Sequence, residues 1–285
     1  MADYKYVLYE KDEGIAVITL NRPERRNALG SEIREGLNAA LQDARDDDEI
    51  RAIVVTGAGT AWSAGADVQA SRPGAGRQWQ FGTLEGSLKS AQKQFLDHLW
   101  MHFFPKPIIA AVNGPCVGMS FELLMNMDII IASEKAIFGA PEVRHGSIEF
   151  TRMPFIIGSQ MTKRLYLTGD RIDAKEAYRI GLVTEVIPAD KLMETAIGLA
   201  KRIAKVPRHA VMMNKLMIDG VVDDMGFMNA LSRAALYTGM GHYLMRQPSA
   251  DSAKLFKILQ EKGPKAFIEA RDSNFPPEEG LPGTV

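Results

Sequence analysis

Two short apolar runs constrain this chain more than any other feature. Ala52-Ile-Val-Val-Thr56 and Ile108-Ile-Ala-Ala-Val112 are rich in β-formers and carry no helical spacing, so they read as strands, the first of them buried. Each opens into a loop of small residues. Ahead of the first, Tyr6–Tyr9 and Ile15–Leu20 read as a hairpin turning at Asp12-Glu13-Gly14. Ser31 is placed to cap a helix whose apolar positions are Ile33, Leu37, Ala40, Leu41 and Ala44. Strand, helix and strand in that order suggest a right-handed crossover and an α/β fold.

The chain continues in the same mixed style and then changes character. Ser71–Gly76 is rich in breakers, and Leu84, Leu88, Ala91, Phe95, Leu99 and Phe103 follow as an apolar stripe. That stripe suits a helix crossing a pocket mouth or an ordinary surface helix. A helix is expected over 118–127, a strand over 128–132 and a helix ending at Leu167-Thr-Gly169. Asp173-Ala-Lys-Glu176 reads as a capping box, Gly181 as a helix stop and Leu182–Ile187 as a strand. From Pro188 the pattern is helical almost throughout. The expected division is a core over 1–205 and a helical region over 206–285, whose Pro-rich end is expected to be disordered.

Bulk properties narrow the function. The 285 residues carry 34 basic and 35 acidic groups, a formal charge of −1. Such balance argues against binding nucleic acid or a membrane surface through charge. Cys116 is the single cysteine, so neither an intramolecular disulfide nor a cysteine-based metal site is possible. Met1–Lys5 lacks an apolar signal region, and the apolar stretches are too short to span a bilayer, which makes cytoplasmic the expected location.

The two loops are where chemistry is expected. They run through Gly57-Ala-Gly-Thr-Ala-Trp-Ser-Ala-Gly-Ala-Asp67 and Asn113-Gly-Pro-Cys-Val-Gly118-Met-Ser-Phe-Glu122. Small residues let a ligand approach the main chain. An unpaired N–H at the start of a helix favours negative charge, and two such donors converging make an oxyanion hole. Tight turns between core elements would look the same on small residues alone.

The motifs, taken together and in order, resemble the crotonase (enoyl-CoA hydratase/isomerase) family. Lys106-Pro-Ile-Ile-Ala-Ala-Val-Asn-Gly-Pro-Cys-Val-Gly-Met-Ser-Phe-Glu-Leu with Asp128-Ile, and Phe138-Gly-Ala-Pro-Glu142, are similar to its central signature. Asn21-Arg-Pro with Asn27-Ala-Leu29, Ser63-Ala-Gly-Ala-Asp67, Leu167-Thr-Gly-Asp170 and Ala177-x-x-x-Gly181-Leu-Val are similar to its other landmarks.

The resemblance implies a crotonase-like spiral of β-β-α units with a C-terminal helical trimerisation region, and hence a homotrimer or homohexamer. It implies an acyl-CoA thioester as substrate and no cofactor or metal beyond the coenzyme A it carries. CoA and substrate are expected near Arg25, Arg26, Ala28, Ala64, Gly65, Ala66, Asp67, Val68 and Gly118. Phe267, with Lys265 or Arg271, is expected near the nucleotide of a neighbouring subunit. The thioester oxygen is expected on the N–H groups of Ala64 and Met119, although the family usually has glycine at the second place. Glu122 and Glu142 are the two glutamates that hydratases of this family use as acid and base.

One stretch departs from the family pattern. Where hydratases carry a Pro-Gly pair beyond Pro-Glu, this chain has Glu149-Phe150, in a shortened segment. His145, Glu149 and Phe150 are candidates for the acyl pocket. Arg144 and His145 are open to two readings, pocket groups or a solvated turn. The altered wall is expected to suit a ring-bearing or polar-substituted acyl group. An enoyl-CoA hydratase is the leading expectation. Isomerisation, hydrolytic or retro-aldol C–C cleavage of a CoA ester, and a degenerate CoA-binding subunit stand as alternatives.

Overall fold

A computed structural model of the chain describes residues 4–68, 83–147, 152–245 and 249–275. The chain opens with the expected hairpin, β1 (Val7–Asp12) antiparallel to β2 (Ile15–Leu20). Its two-residue turn uses Glu13 and Gly14, both at positive φ, whose backbone matches the twist of the strands. Next come α1 (Ser31–Asp46) and β3 (Ala52–Gly57), and β3 pairs parallel to β2. Ser31 does not cap α1. It is the first helical residue, and the cap position is Gly30, with no side-chain hydrogen bond. The other end of α1 is closed by a distant residue. Lys106 is buried, and its Nζ donates to the carbonyls of Ala44 (2.7 Å) and Asp47 (2.6 Å).

The chain continues through α2 (Leu84–His102), β4 (Ile108–Val112), β5 (Cys116–Val117), α3 (Met119–Leu124), β6 (Ile129–Ser133) and β7 (Ile137–Gly139). Then follow α4 (Met153–Ile157), α5 (Ser159–Thr168), β8 (Arg171–Asp173), α6 (Ala174–Arg179) and β9 (Glu185–Ile187). Among the described residues β1-β2-β3-β4-β6-β9 form one sheet in that order, parallel from β2 onward, and β5-β7-β8 form a second. The missing alternation in β3 and β4 is explained by layers on both faces. Ile53, Val55, Ala110 and Val112 pack toward α1, on Leu37 and Leu41. Ala52, Val54, Ile109 and Ala111 pack toward Ala196 and Ala200 of α7 (Leu192–Ala204). The Asp173 cap forms, its Oδ1 accepting from Glu176 N at 2.7 Å, but the Glu176 carboxylate turns to Arg179 and does not complete the box.

The remainder is helical: α8 (Arg208–Asp224), α9 (Phe227–Leu244), α10 (Ala250–Lys262) and α11 (Pro264–Asp272). Helix α2 is covered by α9, with Gly239 of α9 lying against Leu88. No residue of helix α8 is fully buried, and it is held to the body by Val222, packed on Phe227 and Leu231, and by polar pairs. Its Asp223 meets His102 Nε2 at 3.0 Å, Asp219 lies 3.9 Å from Arg152, and Lys215 pairs with Asp128. Met213, Met217, Ile218 and Val221 of α8 and Leu236, Tyr237 and Met240 of α9 are left exposed. No helix among the described residues is long and apolar enough to cross a membrane.

Candidate active site

The two small-residue loops lie side by side because both leave neighbouring parallel strands at the same end. The first is tied down by Asn27, a fully buried residue at positive φ. Its Nδ2 donates to the carbonyls of Ala58 and Ala61, both at 2.9 Å, and its Oδ1 accepts from Arg22 N at 2.8 Å. Arg22 in turn pairs with Asp67 at 2.7 Å, so Asp67 fastens the loop to the segment after β2. Arg25 and Arg26 are exposed beside this knot and make no ion pair among the described residues. Ala28 is buried, and Val68 is the last residue described before 83.

The second loop packs on the first main chain to main chain. Ser63 N donates to Pro115 O (3.1 Å), Val117 N to Ser63 O (3.3 Å), and Ser120 Oγ to Ser63 O (2.8 Å). A side chain at Gly65 would stand 2.5 Å from Val117 O and 3.2 Å from Met119 N, so only glycine lets the loops meet this closely.

This arrangement corrects one expected donor. The Ala64 N–H is spent on Arg26 O at 2.9 Å and is unavailable to a thioester oxygen. The N–H two residues on, at Ala66, has no acceptor among the described residues, since the bridge to Leu29 uses Gly65 O. Met119 opens α3, so its N–H lacks an intrahelical partner. Ala66 and Met119, on either side of the Gly65 contact, each present an N–H with no acceptor among the described residues. The local sequence does not distinguish Ala64 from Ala66, because the choice depends on where Arg26 O lies.

Both candidate glutamates reach Gly118, Glu122 through its backbone and Glu142 through its carboxylate. Glu122 is on the first turn of α3, only 6 % exposed, with its N–H directed to Gly118 O at 3.3 Å. Glu142 comes from the 3-10 turn Pro141–His145, which follows β7, and its carboxylate lies directly over the Gly118 Cα. The short sheet makes this meeting possible: β5 pairs parallel with β7, and Gly118 N donates to Gly139 O at 2.9 Å. A carboxylate on Gly118, a second buried glutamate one helical turn on and two N–H donors nearby suit a reaction that moves protons beside a polarised carbonyl.

The remaining candidates divide. Glu149 and Phe150 lie outside the described residues. Phe267 is 2 % exposed and packs inside this chain, 5.4 Å from the His145 ring and 6.2 Å from Phe256, so it is not free to meet a nucleotide. Arg271 is likewise engaged, by Asp272, while Lys265 is exposed. Arg144 is neither a pocket group nor solvated: its guanidinium is buried between α5 and α11.

His145 carries a pH prediction. Burial first, then the Arg271 charge, holds its imidazole down at about 4 against an ordinary 6.5. Above 6.5 the ring is neutral folded or unfolded. Between 6.5 and about 4 only the unfolded chain takes the proton, so stability falls with pH by about 1.4 kcal/mol per unit, about 3 kcal/mol in all. The difference in unfolding free energy between wild type and His145→Gln is expected to shrink across that window in denaturant titrations. A difference independent of pH would contradict it.

The sheet order, the paired loops and the glutamates together suit an α/β enzyme site. The family description enoyl-CoA hydratase/isomerase matches residues 10–278. The mitochondrial enoyl-CoA hydratase of Pongo abelii is 33% identical over 96% of this chain and 89% of its own. A short-chain-enoyl-CoA hydratase of Clostridium acetobutylicum is 36% identical over 75% of this chain and 80% of its own. The crystal structure of an enoyl-CoA hydratase/isomerase from Xanthobacter autotrophicus Py2 superposes with a TM-score of 0.86 at 33% identity, covering 96% of this chain and all of that one. This chain belongs to the enoyl-CoA hydratase/isomerase family, the crotonases, and is an enzyme with their fold.

Proposed function

We propose that the protein is an enoyl-CoA hydratase, adding water across the conjugated double bond of a 2-enoyl-CoA thioester. The observation that carries this reading is the Glu142 carboxylate resting on Gly118, with buried Glu122 on the helix turn that Gly118 opens and the N–H groups of Ala66 and Met119 beside it. Water attacks C3 as one carboxylate takes its proton. The π electrons move toward the thioester, whose oxygen gains negative charge against the two N–H donors. The resulting enolate collapses as C2 takes a proton from the other carboxyl group, and the second C–H bond completes the hydration. The reaction draws on no cofactor beyond the CoA of the substrate. The Ala64–Val68 loop, with Arg25 and Arg26 beside it, is the proposed CoA contact.

A panel of 2-enoyl-CoA thioesters, from crotonyl to aromatic and cyclic acyl groups, tests the reading through loss of the conjugated absorbance. Hydration of at least one member is expected. Double-bond migration, chain cleavage or binding without turnover across the whole panel would replace it with one of the alternatives.

We also propose that the 206–285 region mediates assembly of a trimer or a dimer of trimers. Met213, Met217, Ile218 and Val221 are exposed on a helix with no fully buried residue, an apolar face that calls for a partner. Light scattering is expected to give the mass of three or six chains. A stable monomer at micromolar concentration would contradict it.

A further inference from the structure

The turn that carries Glu142 has little of its own to hold it. It is a single 3-10 turn, Pro141–His145, closed by Gly146 N on Val143 O (3.0 Å) and Ser147 N on Glu142 O (3.1 Å). Besides the packing of His145 on Phe256 and Phe267, it is held by what grips Arg144, two residues beyond the carboxylate. Arg144 is a three-armed anchor with a side chain 7 % exposed. Its Nε donates to Thr168 O at 2.9 Å and its Nη2 to Asp170 Oδ1 at 2.9 Å, both at the end of α5. Its Nη1 reaches Asp272 Oδ1 at 3.4 Å, on the last residue of α11.

Asp272 does not sit there for the sake of its helix. A negative charge at a helix C-terminus faces the unfavourable end of the dipole. It is held by arginines instead: Arg171 Nη2 at 2.5 Å, and Arg271 Nε and Nη2 at 2.8 and 2.9 Å. Burial alone would raise the carboxyl group, but the hydrogen bonds and charges of Arg271 and Arg171 hold it at about 2, so it is ionised at any working pH. Ionised and held by two other arginines, it is a fixed stop for the third arm of Arg144.

Resting on the two-glutamate reading above, we propose that Asp272 is a positioning residue that sets Glu142 through Arg144, which makes the C-terminal helix of the chain part of its own catalytic apparatus. Without the Asp272 charge the third arm of Arg144 has no anchor, and the turn gains freedom of the size that matters for a proton transfer. A displacement approaching 1 Å can cost about 10²-fold, so a partial release is expected to cost about 10-fold in kcat. Substrate binding, which is proposed to rest on the Ala64–Val68 loop and not on the Arg144 anchor, is expected to be little changed.

The test is a double-mutant cycle, read as kcat and KM with the thioester preferred in the panel. Asp272→Asn in the wild-type background is expected to lower kcat about 10-fold with KM within about 3-fold. In a Glu142→Gln background the same change is expected to cost nothing further, because the group it positions is already disabled. Equal losses in both backgrounds, a loss expressed mainly in KM, or no loss would overturn the proposal. Should Asp272→Asn fail to fold, Asp272→Glu, which keeps the charge on a longer arm, is read by the same criteria. If Glu142→Gln itself turned over like the wild type, the two-glutamate reading would fall together with this one. Equal losses alongside an impaired Glu142→Gln would remove the positioning role alone.

Discussion

Glu122→Gln and Glu142→Gln are each expected to lower kcat by about 10²–10⁴-fold while KM stays within a few-fold of wild type. Glutamine keeps the shape of the side chain and an oxygen acceptor but cannot carry a proton between water and carbon at neutral pH. Both carboxylates serve one addition, so their effects should not multiply. The double variant is expected to fall little below the weaker single one, with the residual rate supplied by the N–H donors and by substrate binding. Steady-state kinetics on the same thioester decide the matter. Wild-type turnover in either single variant would remove the two-carboxylate mechanism.

A single methyl group at position 118 should be nearly as damaging. Gly118 has φ +62° and ψ −135°, a conformation that costs an L-residue about 1–3 kcal/mol. Its ψ aims the peptide that carries the Met119 N–H, and its bare Cα is the surface on which the Glu142 carboxylate rests. In Gly118→Ala the new methyl would land on Glu142 Oε1, so acid and donor are displaced together. Loss of one oxyanion donor alone costs about 10²–10³-fold, so kcat/KM is expected to fall by at least about 10³-fold. Gly181→Ala is the control. It is also at positive φ (+81°), but nothing lies within 4 Å of the added methyl, so it should lose stability and keep its activity. Comparable activity losses in the two variants would mean that backbone strain, not the site, explains the effect.

The fold was legible wherever local pattern and burial point the same way. β3 and β4 show no polar alternation because α1 covers one face of the sheet and α7 the other, and Thr56, the one polar side chain in them, is buried with its hydroxyl on Ala111 O. The hairpin turn announces itself through Gly14, and the stripe of α1 matches its buried face. The short strands β5, β7 and β8 were not legible. Strands of two or three residues have no period to detect, and they exist only because distant segments pair with them. The cap at Ser31 failed for a related reason, since its hydroxyl was offered to a helix that begins one residue too early to use it.

The same division runs through the site. Order and spacing of the motifs were enough to bring forward Glu122, Glu142 and the Ala64–Asp67 loop, because a resemblance of ordered motifs carries over one residue at a time. Which N–H in that loop is free was decided by Arg26 O, which engages Ala64 and leaves Ala66. The fates of Arg144 and Phe267 were decided by helices more than a hundred residues further along the chain or by a turn equally far back, through Asp272 in the one case and His145 in the other. A sequence read alone determines what a residue can donate, accept or bury. Whether a donor is already taken depends on which carbonyl or carboxylate the fold sets beside it, and only the tertiary structure holds that information.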